Sequence, residues 1–381
     1  MRTSSLAVLL LVACSTPSTP IDASSDASSH VEPDASQPDA SQPDDGGPPL
    51  PALRAPWRRE PSFPTGVDHH ATAIVESAAG AYLYVLGGMT ADSSGRPLAI
   101  HDTIHRARIG DDGALGAWEL ERALPAPLAF HVIATTESTI VLAGGVSTRD
   151  DGSLGWIPFV MWSSVDDEGH VGPWQGLEAI ATATLHGAAA IVGERLYLVG
   201  GGAGAASSHT AVRSLRVAGG VIDDARDETA LPAERSHHVL VAHDGHLYVA
   251  AGFAGPPAPA TSVVRAAIGE GGVLGAWEDV GALAEPAWTA SAIEREDAVM
   301  MVGGGIGGGP TDRIVRLPFD ATGHVGAIEE LAPLPYPRAH VHQTPAFGGR
   351  VYSVGGRRAE GLGQASSSDV YSATLDALAS P

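Results

Sequence analysis

The chain has 381 residues, of which 47 are Gly and 28 are Pro, and only 17% are charged, a composition suited to many short strands joined by turns. Its 44 acidic residues outnumber 22 basic ones, every one of them Arg, giving a formal charge of −22; with no basic run it is not a nucleic-acid binder, and with no Lys it performs no Schiff-base chemistry. The single cysteine, Cys14, excludes an intramolecular disulfide, and also a cysteine nucleophile or cysteine metal site in anything folded downstream.

Met1 and Arg2 give a short positive start, and Leu6 to Val12 is apolar but far too short to span a bilayer, so residues 1–13 read as a signal peptide. The next motif, Leu11-Val12-Ala13-Cys14, resembles the bacterial lipobox. That resemblance implies that Cys14 is lipidated and becomes the mature N-terminus, that the chain is exported, and that its membrane partner is reached through the lipid anchor. Ser15 stands where an inner-membrane retention Asp would stand, which by that sorting rule points to the outer membrane. Residues 14–52 are built from Ser, Pro, Asp and Ala, with almost nothing apolar to offset the entropy of ordering. They read as a disordered tether that, at about 3.1 Å per residue, reaches up to roughly 100 Å.

From residue 53 to 381 one pattern recurs. An apolar run closed by paired glycines ends at Gly87-Gly88, Gly144-Gly145, Gly200-Gly201, Gly303-Gly304 and Gly355-Gly356, and in weaker form at Ala251-Gly252. The intervals are 57, 56, 51, 52 and 52 residues, so the domain is an array of like units. Around each pair stand a short strand opened by His, a tight turn, the glycine-closed strand, a variable loop, a further strand, a hairpin such as Asp111-Asp112-Gly113, and a Gly-x-Trp strand as at Gly116-Ala117-Trp118 and Gly275-Ala276-Trp277. Each unit therefore predicts four short antiparallel strands. The glycine pair supplies positive φ and close backbone approach. Tyr84, Tyr197, Tyr248 and Tyr352 stand three residues before their pairs, where large side chains suit packing between neighbouring sheets.

Ring closure follows by counting. The last unit lacks its fourth strand, and the domain opens with an orphan one around Ala55-Pro56-Trp57. Trp57 precedes His70 by 13 residues, as Trp118 precedes His131. The first strand therefore completes the last blade of an all-β, six-bladed β-propeller of four-stranded blades, which removes the exposed sheet edge.

These repeats resemble the Kelch family over Leu53 to Leu375: a His-led strand, an apolar strand ending Gly-Gly, then a later Trp. The family's usual third-strand Tyr is present only as Tyr371, and the Trp of one repeat is replaced by Ala225. The resemblance implies a propeller with large variable loops. Kelch-like propellers include binding modules, sugar epimerases, lyase-like proteins and a copper oxidase. The oxidase chemistry needs a cysteine that the folded domain lacks.

The candidate functional constellation is a set of histidines expected at the start of the innermost strands, where equivalent positions form a ring about the axis: His70, His131, His186, His238 and His340, with Thr289 in the fifth unit. Arg235 and Arg338 precede two of them and are placed to pair a carboxylate. Further histidines, His69, His237, His243, His246 and His342, stand nearby in sequence. The ring is expected to pack between blades, or to contact an anionic or sugar ligand at the channel mouth; neutral imidazoles at one register also suit a divalent metal, although no metal or other cofactor is assigned. The Asp-rich hairpins lack calcium-loop spacing and read as turns. Trp156 and Trp162 offer either a stacking surface or buried packing. Taken together, the expected protein is a monomeric, membrane-anchored, noncatalytic module that binds protein or polysaccharide, the alternative being a carbohydrate-active enzyme with an axial pocket lined by His and Arg.

Overall fold

The computed structural model describes residues 53–149, 151–178, 185–202, 207–255, 258–306, 309–358 and 365–379. Residues 1–52, on which the signal-peptide, Cys14-lipidation and tether expectations fall, lie outside the described residues. No helix among those described is long and apolar enough to cross a membrane.

Six four-stranded antiparallel sheets follow one another along the chain, each running from an innermost to an outermost strand. Blade 1 comprises Ala71–Ser77, Gly80–Leu86, Ile104–Arg108 and Glu119–Leu120. Blade 2 comprises Val132–Thr135, Thr139–Ala143, Phe159–Ser164 and Gln175–Glu178. Blade 3 comprises Ala188–Val192, Arg195–Val199, Val212–Ala218 and Val221–Asp227; blade 4 comprises Val239–His243, His246–Ala250, Ser262–Ile268 and Leu274–Ala282. Blade 5 comprises Ser291–Arg295, Ala298–Val302, Ile314–Pro318 and Glu329–Glu330. Blade 6 takes Ala346–Phe347, Arg350–Val354 and Val370–Thr374 from the C-terminus and Arg58–Arg59 from the start of the domain. Arg58 pairs with Ser372 and Arg59 with Tyr371, so the orphan strand closes the ring as its Trp spacing predicts.

The apolar cores lie between blades, not within them. One joins Tyr84 and Leu86 of blade 1 to Ile140 and Leu142 of blade 2; another joins Tyr197 and Val199 of blade 3 to Leu247 and Val249 of blade 4. Repeated polar ties cross the same seams. The four tyrosines ahead of the glycine pairs each donate a hydroxyl hydrogen bond to a carbonyl in the outer hairpin of the next blade: Tyr84 to Gly169 (2.5 Å), Tyr197 to Gly272 (2.7 Å), Tyr248 to Gly323 (3.1 Å) and Tyr352 to Gly113 (2.9 Å). In the other direction, Trp57, Trp118 and Trp277 donate their indole N–H groups to Pro333, Pro61 and Thr229 of the preceding blade. The side-chain carboxylates of Glu60, Glu121 and Glu228 accept the backbone N–H groups of Leu115, Val171 and Leu274 in the next blade.

Both glycines of each pair have positive φ, for example 56° at Gly200 and 97° at Gly201. The turn they make brings the N–H of the second glycine to a carbonyl of the following blade, as Gly201 to Arg235 (2.8 Å) and Gly356 to Val67 (2.8 Å). A Cβ at the first glycine of Gly87-Gly88, Gly200-Gly201, Gly303-Gly304 or Gly355-Gly356 would stand on that carbonyl, so these positions favour glycine, whereas blade 4 carries Ala251 there. The acidic hairpins at the other end are turns: Asp112, Asp166 and Asp320 each use a carboxylate oxygen to accept backbone N–H groups two or four residues on.

Because each inner strand is antiparallel to its glycine-closed neighbour, the starts of the inner strands and the variable loops after the glycine pairs share one end of the ring. Extra hairpins rise there, pairing Met89–Ala91 with Pro97–Ile100 and Val146–Thr148 with Leu154–Trp156.

Candidate functional site

Ahead of each inner strand, by two residues in blades 1 to 5 and by six in blade 6, one residue per blade takes the left-handed conformation: His69 (φ 51°), Phe130 (60°), His186 (53°), His237 (57°), Thr289 (50°) and His340 (61°). Such a φ is costly for a side-chain-bearing residue, and it is held here because the backbone is tied on both sides. The N–H of His69 donates to the carbonyl of His340 (3.2 Å), Phe130 to His69 (3.0 Å), His237 to His186 (2.7 Å) and Thr289 to His237 (3.0 Å). These bonds join the six positions in two runs, His340-His69-Phe130 and His186-His237-Thr289.

The five histidines expected at one register therefore fall into two. His186 and His340 stand in the axial ring, with His69 and His237 in place of His70 and His238. His70, His131 and His238 lie one residue further on and fill seams between blades. The Cβ of each packs against the second glycine of its own blade's pair, and the Cε1 against the first glycine of the preceding blade: His70 between Gly88 and Gly355, His131 between Gly145 and Gly87, and His238 between Gly252 and Gly200. The reason for the offset is the left-handed residue, which turns consecutive side chains to different surroundings. His131 and His238 have no hydrogen-bond partner on either ring nitrogen among the described residues, and burial holds His70, His131 and His238 down to about 3, so all three are neutral near pH 7.

Arg235 and Arg338 are buried and turned outward along their blades. Arg235 donates to the carbonyl of Ala251 (3.2 Å) and the hydroxyl of Ser262 (2.9 Å); Arg338 donates to the carbonyls of Gly355 and Asp369 and lies over the Tyr371 ring at 5.1 Å. Each guanidinium thus secures the junction between second and third strands. His243 and His246 sit at the opposite end, in the turn of blade 4, against Glu294 and the carbonyl of Asp244.

On the axis the rings form a continuous cluster. His186 stacks on His237 with centroids 3.6 Å apart, His69 lies 4.0 Å from Phe130 and 4.3 Å from His340, and His342, two residues past His340, approaches both His69 (5.5 Å) and His186 (5.8 Å). Burial, reinforced by the neighbouring histidines, pulls His69 and His186 well below the usual imidazole range, and burial, partly offset by the Asp68 carboxylate, holds His342 down to about 4. Behind His69 stands Asp68, fully buried, whose carboxylate accepts from His69 Nδ1 and Ser366 Oγ and pairs with Arg357 Nε at 3.2 Å. Beyond the cluster, a cavity of about 300 Å³ runs between inner strands, lined by Thr72, Thr135, Ala292, Gln343 and Thr344 among others, none of them ionisable.

With six blades, their closure and the axial cluster in view, the fold has a solved counterpart. The chain shares its fold with YjhT. The solved structure of YjhT matches with a TM-score of 0.62, covering 81% of this chain and 95% of that one at 14% identity, a likeness that extends to the fold alone. No family model and no curated protein matches the chain.

Sequence reasoning set His69, His237 and His342 aside as neighbours of the ring and passed over Asp68 and Phe130. The available signal was the His-His doublets at His69-His70 and His237-His238, which already show that two adjacent registers carry histidine.

Proposed function

We propose that this chain is an exported, lipid-anchored, Kelch-like propeller that acts as a noncatalytic binding module for protein or polysaccharide, using the end of the ring that carries the variable loops. The observation that carries this reading is the outward display of large apolar side chains on adjacent hairpins of that end: Leu98 is 58% exposed on blade 1, with Leu154 (52%) and Trp156 (42%) on blade 2. Exposed apolar groups on protruding hairpins offer contact surfaces, and an exposed indole stacks on a sugar ring or fills a protein pocket. Trp162, which stands in the third strand of blade 2, is buried and donates to the Gly220 carbonyl, so Trp156 is the contacting residue. Against the enzymatic alternative, Arg235 and Arg338 bond carbonyls within their own blades, and the channel cavity is lined by uncharged groups.

Two measurements test the reading. Binding of the full chain to a glycan panel and to purified envelope proteins is compared with Trp156→Ala and Leu154→Ser; loss of a ligand in these variants with an unchanged fold supports it, while ligand binding indifferent to both removes it. Incorporation of labelled palmitate and recovery in the membrane fraction are compared with Cys14→Ser; a wild-type chain that stays soluble and unlabelled removes the anchor.

A further inference from the structure

Three imidazoles from blades 1, 3 and 6 converge on the axis. The centroids of His69, His186 and His342 are 5.5, 5.5 and 5.8 Å apart, and one donor nitrogen of each lies within 4.8 Å of those of the other two. A point equidistant from three such rings stands about 3.2 Å from each centroid. A ring nitrogen lies about 1.1 Å from its own centroid, so one turned toward that point would stand about 2.1 Å from it, the length of a zinc–imidazole bond. Closing the nitrogens from within 4.8 Å of one another to the roughly 3.4 Å of a tetrahedral set requires the rings to rotate on binding.

Two independent features go with this geometry. Nδ1 of His186 and Nε2 of His342 are buried without a hydrogen-bond partner among the described residues, and a buried imidazole nitrogen left so is destabilising unless something else engages it. His69, by contrast, has its Nδ1–H held by the buried carboxylate of Asp68, which leaves the Nε2 lone pair free. That carboxylate–histidine arrangement is the one that orients metal-ligating histidines and raises their basicity. The nearby cation, Arg357, is neutralised by the same carboxylate at 3.2 Å. The trio offers only nitrogen donors, so calcium and magnesium, which need oxygen ligands, do not fit.

We propose that His69, His186 and His342 form an axial binding site for a divalent transition metal, zinc foremost, with Asp68 as the positioning residue. The fourth coordination position is left to water or to an oxygen of a bound molecule. Gln343 and Thr72, one and three residues beyond two of the ligands, line the channel cavity from which that position is reached.

The test uses the full chain without an added histidine tag, stripped with chelator and titrated with zinc by calorimetry and with cobalt(II) by visible spectroscopy. The expected result is one ion per chain and the intense d–d absorption of four-coordinate cobalt. His186→Gln and His342→Gln each weaken zinc binding at least 100-fold, and Asp68→Asn weakens it about 10- to 100-fold. His243→Gln, at the opposite end of the ring, changes nothing. Absence of zinc binding in the wild-type chain, a six-coordinate cobalt spectrum, or equal affinity in His186→Gln and His342→Gln overturns the site. The wild-type cobalt spectrum decides the matter even where a ligand variant fails to fold.

Discussion

Replacing Gly200 with Ala tests the claim that the glycine pairs fasten blades together. Gly200 has φ 56°, where a non-glycine residue costs about 1–2 kcal/mol. A Cβ there would lie 2.4 Å from the Arg235 carbonyl oxygen and 2.9 Å from His238 Cε1. The carbonyl cannot withdraw freely, because it accepts the Gly201 N–H at 2.8 Å across the seam between blades 3 and 4. Overpacking of this kind adds about 1–3 kcal/mol, and the stiffer unfolded chain returns about 0.4–1 kcal/mol. The net expectation is a loss of about 3 kcal/mol. Blade 4 supplies the control, since Ala251 already occupies the equivalent position at φ 61°, fully buried. Ala251→Gly relieves about 1–2 kcal/mol of backbone strain but forfeits a buried methyl worth about 0.8 kcal/mol and about 0.4–1 kcal/mol of unfolded-state entropy, so its stability stays within about 1 kcal/mol of wild type. Urea unfolding followed by tryptophan fluorescence reads both. The reasoning fails if Gly200→Ala also lies within about 1 kcal/mol of wild type, or if Ala251→Gly costs as much as Gly200→Ala.

Tyr197→Phe and Tyr352→Phe remove hydroxyl bonds across two separate seams, so each is expected to cost about 1 kcal/mol and the double variant about 2 kcal/mol in the same unfolding assay; strong non-additivity would contradict independent seams. Glu60→Ala strands the buried Leu115 N–H at the closure of the ring and should cost about 2–3 kcal/mol, against under about 0.5 kcal/mol for the exposed Glu119→Ala; parity between the two would show that closure does not depend on this tie. The seam histidines predict acid sensitivity with a definite sign. His131 and His238 titrate at about 3 when folded and at about 6.5 when unfolded, so below pH 6.5 the unfolded chain takes up protons that the folded chain does not. Stability is flat with respect to these groups above pH 6.5 and falls by about 1.4 kcal/mol per pH unit for each histidine below it, or about 4 kcal/mol for both at pH 5. The double variant His131→Gln, His238→Gln should be less stable at pH 7.5 yet show a flatter profile between pH 6.5 and 5, and an unchanged slope would count against the assignment.

The architecture was legible because its signals are covalently local and repeated. A glycine pair every fifty-odd residues, a Trp 13 residues ahead of a His, and a missing fourth strand at one end matched by an orphan at the other are properties of the string itself, and the pairing of Arg58–Arg59 with Tyr371 and Ser372 follows from them. What the glycines and tyrosines do was legible only in type. Close approach and packing could be inferred, but not that each Tyr hydroxyl reaches the hairpin carbonyl of the next blade, because that partner lies about 75–85 residues away in three of the four cases and at the opposite end of the domain for Tyr352.

The candidate site was misread by one residue, and the reason is conformational. Aligning the repeats on their most frequent histidine places His70, His131 and His238 alongside His186 and His340, although the shared feature of the axial positions is a left-handed backbone, adopted by His, Phe and Thr alike. Side-chain identity alone does not assign a register that is set by φ and by hydrogen bonds between neighbouring blades. Once the register is fixed, the two layers separate by chemistry as well. The seam histidines are wedged against glycines, where their rings act as packing volume. Of the axial histidines, only His69 has a buried carboxylate behind it, and only His69 and His186 come within metal-bonding reach of His342 from another blade. The repeat therefore accounts for the presence of histidine around the axis, whereas Asp68 and His342, which have no counterparts in the repeated pattern, are what turn one side of that ring into a site.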